Sequence, residues 1–116
     1  MSNVTIYHNP RCSKSRQTMA LLEEHGIAPT VVRYLDAPPN AETLKQLLGA
    51  LGLKPRELMR SKEPVYTERD LADPEMTDDE LIAAMIADPI LIERPIVVSG
   101  DRCAIGRPPE NVLGIL

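Results

Sequence analysis

The fold of this chain is decided by one stretch near its start, Val4-Thr5-Ile6-Tyr7-His8-Asn9-Pro10-Arg11-Cys12-Ser13-Lys14-Ser15-Arg16. The alternating apolar run Val4–Tyr7 predicts a buried strand. The helix-compatible run Ser13–His25, followed by Gly26, predicts a helix that ends at the glycine. Cys12 therefore stands at the start of a helix, where backbone N–H groups are unpaired and the helix dipole is positive.

A cysteine at this position is expected to ionise readily. The helix start favours the thiolate, and so do the nearby charges of Arg11, Lys14 and Arg16. Free N–H groups at a helix start also hold oxyanions. Cysteine often serves only to pack a core, but such a role would gain nothing from three cationic neighbours. The stretch therefore predicts a nucleophile and an anion site in one place.

Local patterns predict the remaining elements in chain order. They are a second strand over Thr30–Tyr34, a helix capped by Asn40 and ended by Gly52, a short helix over Pro55–Met59, a helix that starts at the capping box Thr77–Glu80 and stops before Pro89, a hairpin of Ile96–Ser99 and Arg102–Ile105, and a final helix from Pro108 through Leu116. This order fits an α/β fold with a thioredoxin-like mixed sheet. The helical stretch of about 40–88 is interpreted as an insertion, so a single domain over 1–116 is predicted.

Composition limits the class of protein. The 116 residues, 43% of them apolar, suffice for one folded domain with an aliphatic core. No apolar run approaches the roughly 18–20 residues that a membrane span needs, and polar residues interrupt any signal-peptide pattern. A cytoplasmic location without a membrane partner is therefore expected. The net charge of −4 argues against nucleic-acid binding.

Spacing disfavours several kinds of site. The chain has two cysteines, Cys12 and Cys103, and lacks the partnering histidine pairs of a zinc site, so no metal is predicted. Position 15 is Ser15, so the redox motif Cys-x-x-Cys is absent and a resolving thiol would come from another molecule. A phosphatase loop requires Cys, five residues and then Arg, but Thr18 stands at that place. Cys103 is expected to be structural.

Three arginines follow or precede predicted strands and loops. Arg94-Pro95 stands just before the strand that starts at Ile96, Arg107 follows a strand end, and Arg60 ends a short helical segment. A single arginine is usually a solvated surface charge. Three arginines at strand and loop ends suggest an oxyanion site but are not specific to one. Spacing alone favours a trans Pro95, because only about 5–6% of X–Pro bonds in folded proteins are cis.

The chain resembles the glutaredoxin-coupled arsenate reductase family along nearly its whole length, and in particular the short branch of that family. The matching segments are Ile6–Pro10 with Cys12, Ser15 and Arg16, Tyr34-Leu35 with Pro38-Pro39, Leu58-Met59-Arg60, Leu71-Ala72, Pro89–Ile92, Arg94–Val98 and Arg107-Pro108. The resemblance implies a thioredoxin-like fold with a helical insertion.

The resemblance also implies roles for the site residues. Cys12 would be the nucleophile, His8 would help to lower the pKa of its thiol, and Ser15 would form a hydrogen bond near it. Three side chains would bind the oxyanion: Arg60, Arg94 and Arg107. The Arg94-Pro95 loop would face the cysteine, which favours a cis peptide bond there.

The implied reaction reduces arsenate to arsenite. The thiolate attacks arsenic, glutathione attacks the cysteine-bound arsenic as a co-substrate, and glutaredoxin reduces the adduct. No bound cofactor and no metal are expected, and the protein is expected to be a monomer.

Two other functions stay open. A general thiol-disulfide or deglutathionylating oxidoreductase would need Cys12 but not the three arginines. Related thioredoxin-like proteins are transcription regulators that bind RNA polymerase and sense redox state through Cys-x-x-Cys, and Ser15 removes that switch here.

Overall fold

The computed structural model describes residues 3–116 of the chain. It consists of two compact units, one formed by the described residues up to Ala37 together with Arg94–Leu116 and the other by Pro38–Glu93. The predicted helical stretch of about 40–88 falls inside the second unit. The description of the whole chain as one domain with an insertion stays a prediction.

The first unit contains a four-stranded sheet in the order β2-β1-β3-β4. Its strands are β1 (Val4–Tyr7), β2 (Thr30–Val32), β3 (Ile96–Ser99) and β4 (Arg102–Ile105). Strand β1 pairs in parallel with β2 and antiparallel with β3, and β3 and β4 form the predicted hairpin. The mixed sheet of an α/β fold is confirmed.

One helix, α1 (Ser13–Glu24), crosses from β1 to β2. It ends one residue earlier than predicted, because His25 is its C-cap and Gly26 follows at φ +73°. The unit's core is aliphatic, as expected from the lack of Phe and Trp. Its central residues are Val4, Ile6, Leu22, Val97 and Val112.

Two predictions in this unit are corrected. Strand β2 stops at Val32 instead of Tyr34, because the chain turns where the N–H groups of Asp36 and Ala37 both donate to Arg33 O. Tyr34 is nevertheless fully buried. The final helix is a 3₁₀ helix over Pro109–Ile115, so Pro108 lies outside it.

The second unit is helical. It contains α2 (Ala41–Leu51), α3 (Pro55–Leu58), α4 (Pro64–Glu68), α5 (Asp78–Ala87) and a 3₁₀ turn over Pro89–Leu91. The predicted ends are confirmed for the two longest helices. Asn40 caps α2 by accepting from the Thr43 N–H, Gly52 ends it at φ +69°, and the Thr77–Glu80 capping box starts α5. Helix α4 and the 3₁₀ turn were not predicted.

None of the helices in residues 3–116 combines the length and the apolar character that crossing a bilayer requires.

Candidate active site

The loop between β1 and α1 is organised by Asn9, which is 6% exposed. Its side-chain Oδ1 accepts from the Arg11 N–H at 3.0 Å, and its backbone carbonyl accepts from the Cys12 N–H at 3.0 Å. Its own N–H donates to Ser15 Oγ at 3.0 Å. Because these groups bond within the loop, Cys12 is held at the N-cap of α1 in extended conformation.

The Cys12 sulfur lies among hydrogen-bond donors. Burial alone would raise the pKa of this thiol, but the backbone N–H of Ser15, the Arg94 guanidinium and the backbone N–H of Lys14 favour the thiolate more strongly. The pKa of Cys12 therefore lies below its ordinary value. The lowering comes from these hydrogen bonds and from the Arg94 charge, rather than from the side-chain charges of the loop that the sequence suggested.

Two of the predicted arginines converge on this sulfur within the first unit. Arg94 donates a hydrogen bond to it, and Arg107 Nη2 lies 3.7 Å from Cys12 Sγ. The same arginines are joined to each other, because Arg107 Nε donates to the Arg94 carbonyl at 2.8 Å. The Gly106 N–H adds a 2.9 Å hydrogen bond to Pro95 O. The loops before β3 and after β4 are thus held together beside Cys12.

Both arginines precede a proline through a cis peptide bond. The resemblance favoured the cis form for Arg94-Pro95, and this form is present. The second cis bond, Arg107-Pro108, was not foreseen.

His8 contacts Ser15 and is neutral at pH 7. Its Nδ1 lies 2.6 Å from Ser15 Oγ. Burial, followed by the charges of Arg33 and Arg16, lowers the pKa of His8. The Asn9 N–H donates to the same oxygen, so Ser15 Oγ joins the His8 ring to the backbone of the loop before α1. His8 is not among the groups that shift the pKa of Cys12, and its effect on that pKa stays a prediction.

Arg60, the third predicted oxyanion ligand, belongs to the second unit. Its guanidinium is already bonded to two carboxylates, at 3.3 Å to Glu63 Oε1 and 2.9 Å to Glu93 Oε1. Its backbone N–H donates to Leu91 O at 2.7 Å. The structure thus brings His8, Cys12, Ser15, Arg94 and Arg107 into one unit, and it places Arg60 in the other.

Sequence reasoning missed two residues that support the site. Asn9 was part of the quoted stretch, and its tendency to bond the backbone two residues on is a readable signal. Gly106 had no signal. A Cβ there would overlap Thr18 Oγ1 and lie 2.8 Å from Pro95 Cγ, so the loop after β4 approaches α1 closely only because residue 106 is glycine.

Two further observations concern metal binding and the second cysteine. In residues 3–116 no group of three or more His, Cys, Asp or Glu side chains is arranged to hold a metal ion. Cys103 is half-buried in β4, and burial raises the pKa of its thiol.

Comparison with known proteins agrees with this geometry. Residues 7–115 match the ArsC family. The chain is 55% identical to the uncharacterized protein YfgD of Escherichia coli (strain K12), over 97% of this chain and 96% of that protein. It is 47% identical to an arsenate reductase of Neisseria meningitidis serogroup A, over 100% of both.

A solved structure gives the same result. The arsenate reductase from Vibrio cholerae superposes with a TM-score of 0.97 at 55% identity, covering 99% of this chain and 98% of that one. The predicted thioredoxin-like fold is thereby confirmed. Because the family match covers residues 7–115 and a relative is 47% identical over the full length of both chains, the chain belongs to the ArsC family.

Proposed function

We propose that this protein is an arsenate reductase, an oxidoreductase that reduces arsenate to arsenite through the Cys12 thiolate and takes its electrons from glutathione and glutaredoxin. The observation that carries the proposal is the convergence of Arg94 and Arg107 on the Cys12 sulfur. The 47% identity to an arsenate reductase over full length supports the choice of substrate.

The two guanidinium groups reduce the repulsion between the Cys12 thiolate and arsenate. Near neutral pH arsenate is mostly a dianion, and a thiolate repels it. Two unit charges 4 Å apart interact by about 4 kcal/mol at an effective dielectric constant of about 20. Arg94 and Arg107 offset this repulsion and present planar forks that bond tetrahedral oxyanions at two points. The N–H groups at the start of α1 supply further donors.

The first step joins sulfur to arsenic without a change in oxidation state. The Cys12 thiolate attacks arsenic, and one arsenate oxygen leaves as water after taking up two protons. The glutathione thiol then attacks the cysteine-bound arsenic. A second arsenic–sulfur bond forms, and a hydroxyl leaves as water with the thiol proton.

Reduction occurs in the third step. A glutaredoxin thiolate attacks the glutathione sulfur, and the electron pair of the breaking sulfur–arsenic bond goes to arsenic, which becomes arsenic(III). The two sulfurs are oxidised to a mixed disulfide that leaves with glutaredoxin. Water then cleaves the bond between Cys12 and arsenic, which releases arsenite and the free thiol. The missing Cys-x-x-Cys motif agrees with external thiols finishing the cycle.

Arg60 is proposed as a third oxyanion ligand. Because Glu63 and Glu93 hold its guanidinium, arsenate would have to replace at least one carboxylate to bind there. No bound cofactor takes part. The protein is proposed to work as a monomer in the cytoplasm, where glutathione keeps thiols reduced.

A coupled assay with arsenate, glutathione and glutaredoxin tests the proposal on the wild type, Cys12→Ser and the matched control Cys103→Ser. Loss of the nucleophile is expected to lower turnover by on the order of 10³-fold or more, whereas Cys103→Ser is expected to stay within twofold of the wild type. Arsenate reduction that survives in Cys12→Ser would refute the mechanism. A wild type that exchanges disulfides but does not reduce arsenate would instead indicate the general oxidoreductase.

A further inference from the structure

A cavity of about 260 Å³ lies in the first unit beside the nucleophile loop. It is lined by residues 8–11 and by Arg33, Leu35 and Asp36. Cys12 does not line it, and the arsenate chemistry proposed above does not use it. We propose that this cavity binds the charged groups of the glutathione co-substrate, an inference that rests on the proposed function.

The fold builds this cavity from the two segments that follow β1 and β2. Strands β1 and β2 run parallel, so the segments that follow them lie at the same edge of the sheet, where ligands of α/β proteins commonly bind. The His8 N–H donates to Val32 O at 2.8 Å, which joins the two segments. The turn after β2 is closed by the N–H groups of Asp36 and Ala37, both 2.9 Å from Arg33 O. The cavity wall is therefore largely formed before a ligand arrives.

The charges of the cavity match those of glutathione. Arg11 and Arg33 contribute two positive charges, Asp36 contributes one negative charge, and His8 is neutral. Glutathione with a protonated thiol carries two carboxylates and one ammonium group, the complementary set. Arginine forks bind carboxylates at two points, and Asp36 Oδ2, now 3.7 Å from Arg33 Nε, is an acceptor for the ammonium group. Because that ion pair is exposed, a ligand that replaces it loses little.

The cavity also has the right size and position. Its volume is just below the roughly 300–1,000 Å³ of drug-sized ligand pockets, so it suits a small molecule rather than a protein segment. Arg11 is the neighbour of Cys12 in the chain, and their Cα atoms are about 3.8 Å apart across a trans peptide. An extended tripeptide spans about 10 Å. In the proposed pose the glutathione carboxylates bind at Arg11 and Arg33, and the thiol points toward Cys12, the chain neighbour of Arg11.

Bound in this way, glutathione makes its attack on the cysteine-bound arsenic. The sulfur–arsenic bond forms, an arsenic hydroxyl leaves as water with the thiol proton, and neither sulfur nor arsenic changes oxidation state. Two electrons pass to arsenic later, when the glutaredoxin thiolate attacks the glutathione sulfur and both sulfurs are oxidised to the mixed disulfide.

Steady-state kinetics on the full chain tests this site with Arg33→Glu and the matched control Arg102→Glu, a second exposed arginine of the same unit. Arg33→Glu is expected to raise KM for glutathione at least tenfold and to change kcat and KM for arsenate by less than twofold. Arg102→Glu is expected to leave all three unchanged. An unchanged KM for glutathione in Arg33→Glu would overturn the inference. So would a rise in KM for glutaredoxin alone, because the surface would then bind a protein.

A binding measurement separates failure of this inference from failure of the proposed function. S-methylglutathione, which cannot react, is titrated into the isotope-labelled wild type, and amide NMR shifts are followed. Shifts at residues 8–11 and 33–36 that disappear in Arg33→Glu support the site even if the protein does not reduce arsenate. Arsenate reduction without any such shifts would overturn the site and leave the function standing.

Discussion

The two cysteines of this chain lie in the same unit, and their pKa values are shifted in opposite directions. Burial disfavours the thiolate at both. Cys12 sits at a helix start, where two backbone N–H groups and Arg94 bond its sulfur, and its pKa is lowered. Cys103 lies in β4, opposite Val98 in the ladder, and its pKa is raised. The comparison teaches that hydrogen-bond donors, and not exposure, distinguish the thiol whose pKa is lowered from the thiol whose pKa is raised.

The largest effect expected in testing this contrast comes from removing the donors of Cys12. Arg94→Ala and Arg107→Ala are each expected to lower kcat/KM for arsenate by roughly 10- to 150-fold, because a hydrogen bond to a charged group contributes about 1.5–3 kcal/mol. Arg94→Ala is also expected to raise the pKa of Cys12. Arg102→Ala, in the same hairpin, is the control and should do neither. Full activity in Arg94→Ala would show that the contact at the sulfur is incidental.

Alkylation across pH measures the contrast directly. Only the thiolate reacts, so each rate rises as the pH climbs through the pKa of that thiol. At pH 7 a thiol with the ordinary pKa of 9.0 is about 1% ionised. Cys12 should exceed this fraction and Cys103 should fall below it, so iodoacetamide should label Cys12 roughly tenfold faster or more at neutral pH.

Mass spectrometry of the digested protein assigns each label, with Cys12→Ser and Cys103→Ser as single-thiol references. The profile of Cys12 is expected at lower pH than that of Cys103. Superimposable profiles would remove the basis for calling Cys12 the activated thiol.

The smallest expected effect concerns the packing of the loop after β4 against α1. Gly106→Ala would press a methyl group against Thr18 and Pro95, which is expected to lower the free energy of unfolding by about 1–3 kcal/mol. Gly49, inside α2, has no atom within 4 Å of an added Cβ, so Gly49→Ala is expected to raise it by up to about 1 kcal/mol. Chemical denaturation of both variants checks the pair, and equal changes would contradict the close approach at Gly106.

Local signals explain most of what the sequence could predict. Alternation identified β1, and Gly26, Asn40 and the Thr77–Glu80 box marked helix ends, because each depends on residues only a few positions apart. Helix α4 has five residues, too few for a hydrophobic period to show. Tyr34 looked like a strand residue, yet it is buried in a turn, because tertiary packing overrides β propensity.

The site residues likewise divide into those that chain neighbours could predict and those that only the fold brings together. Cys12 at a helix start could be predicted from its neighbours in the chain. The contact between Cys12 and Arg107 joins residues 95 positions apart, and no spacing rule reveals it. The positions of the arginines at strand and loop ends only suggested a site, and the family resemblance gave them the role of oxyanion ligands. It could not show that Arg60 is held by Glu63 and Glu93, since that depends on side-chain positions across the second unit.

The hairpin of β3 and β4 sets the distance between Arg94 and Arg107. Ile96 and Ile105 face each other in the ladder, and Arg94 and Arg107 each stand two residues beyond that pair. Their separation is therefore set by strand register, which the two-residue turn at Gly100 defines at the far end. One inserted residue in that turn would slip the pairing and reverse the faces of the side chains. The length of a distant bend is thus constrained by the site, and Gly100, at φ +62°, constrains its composition as well.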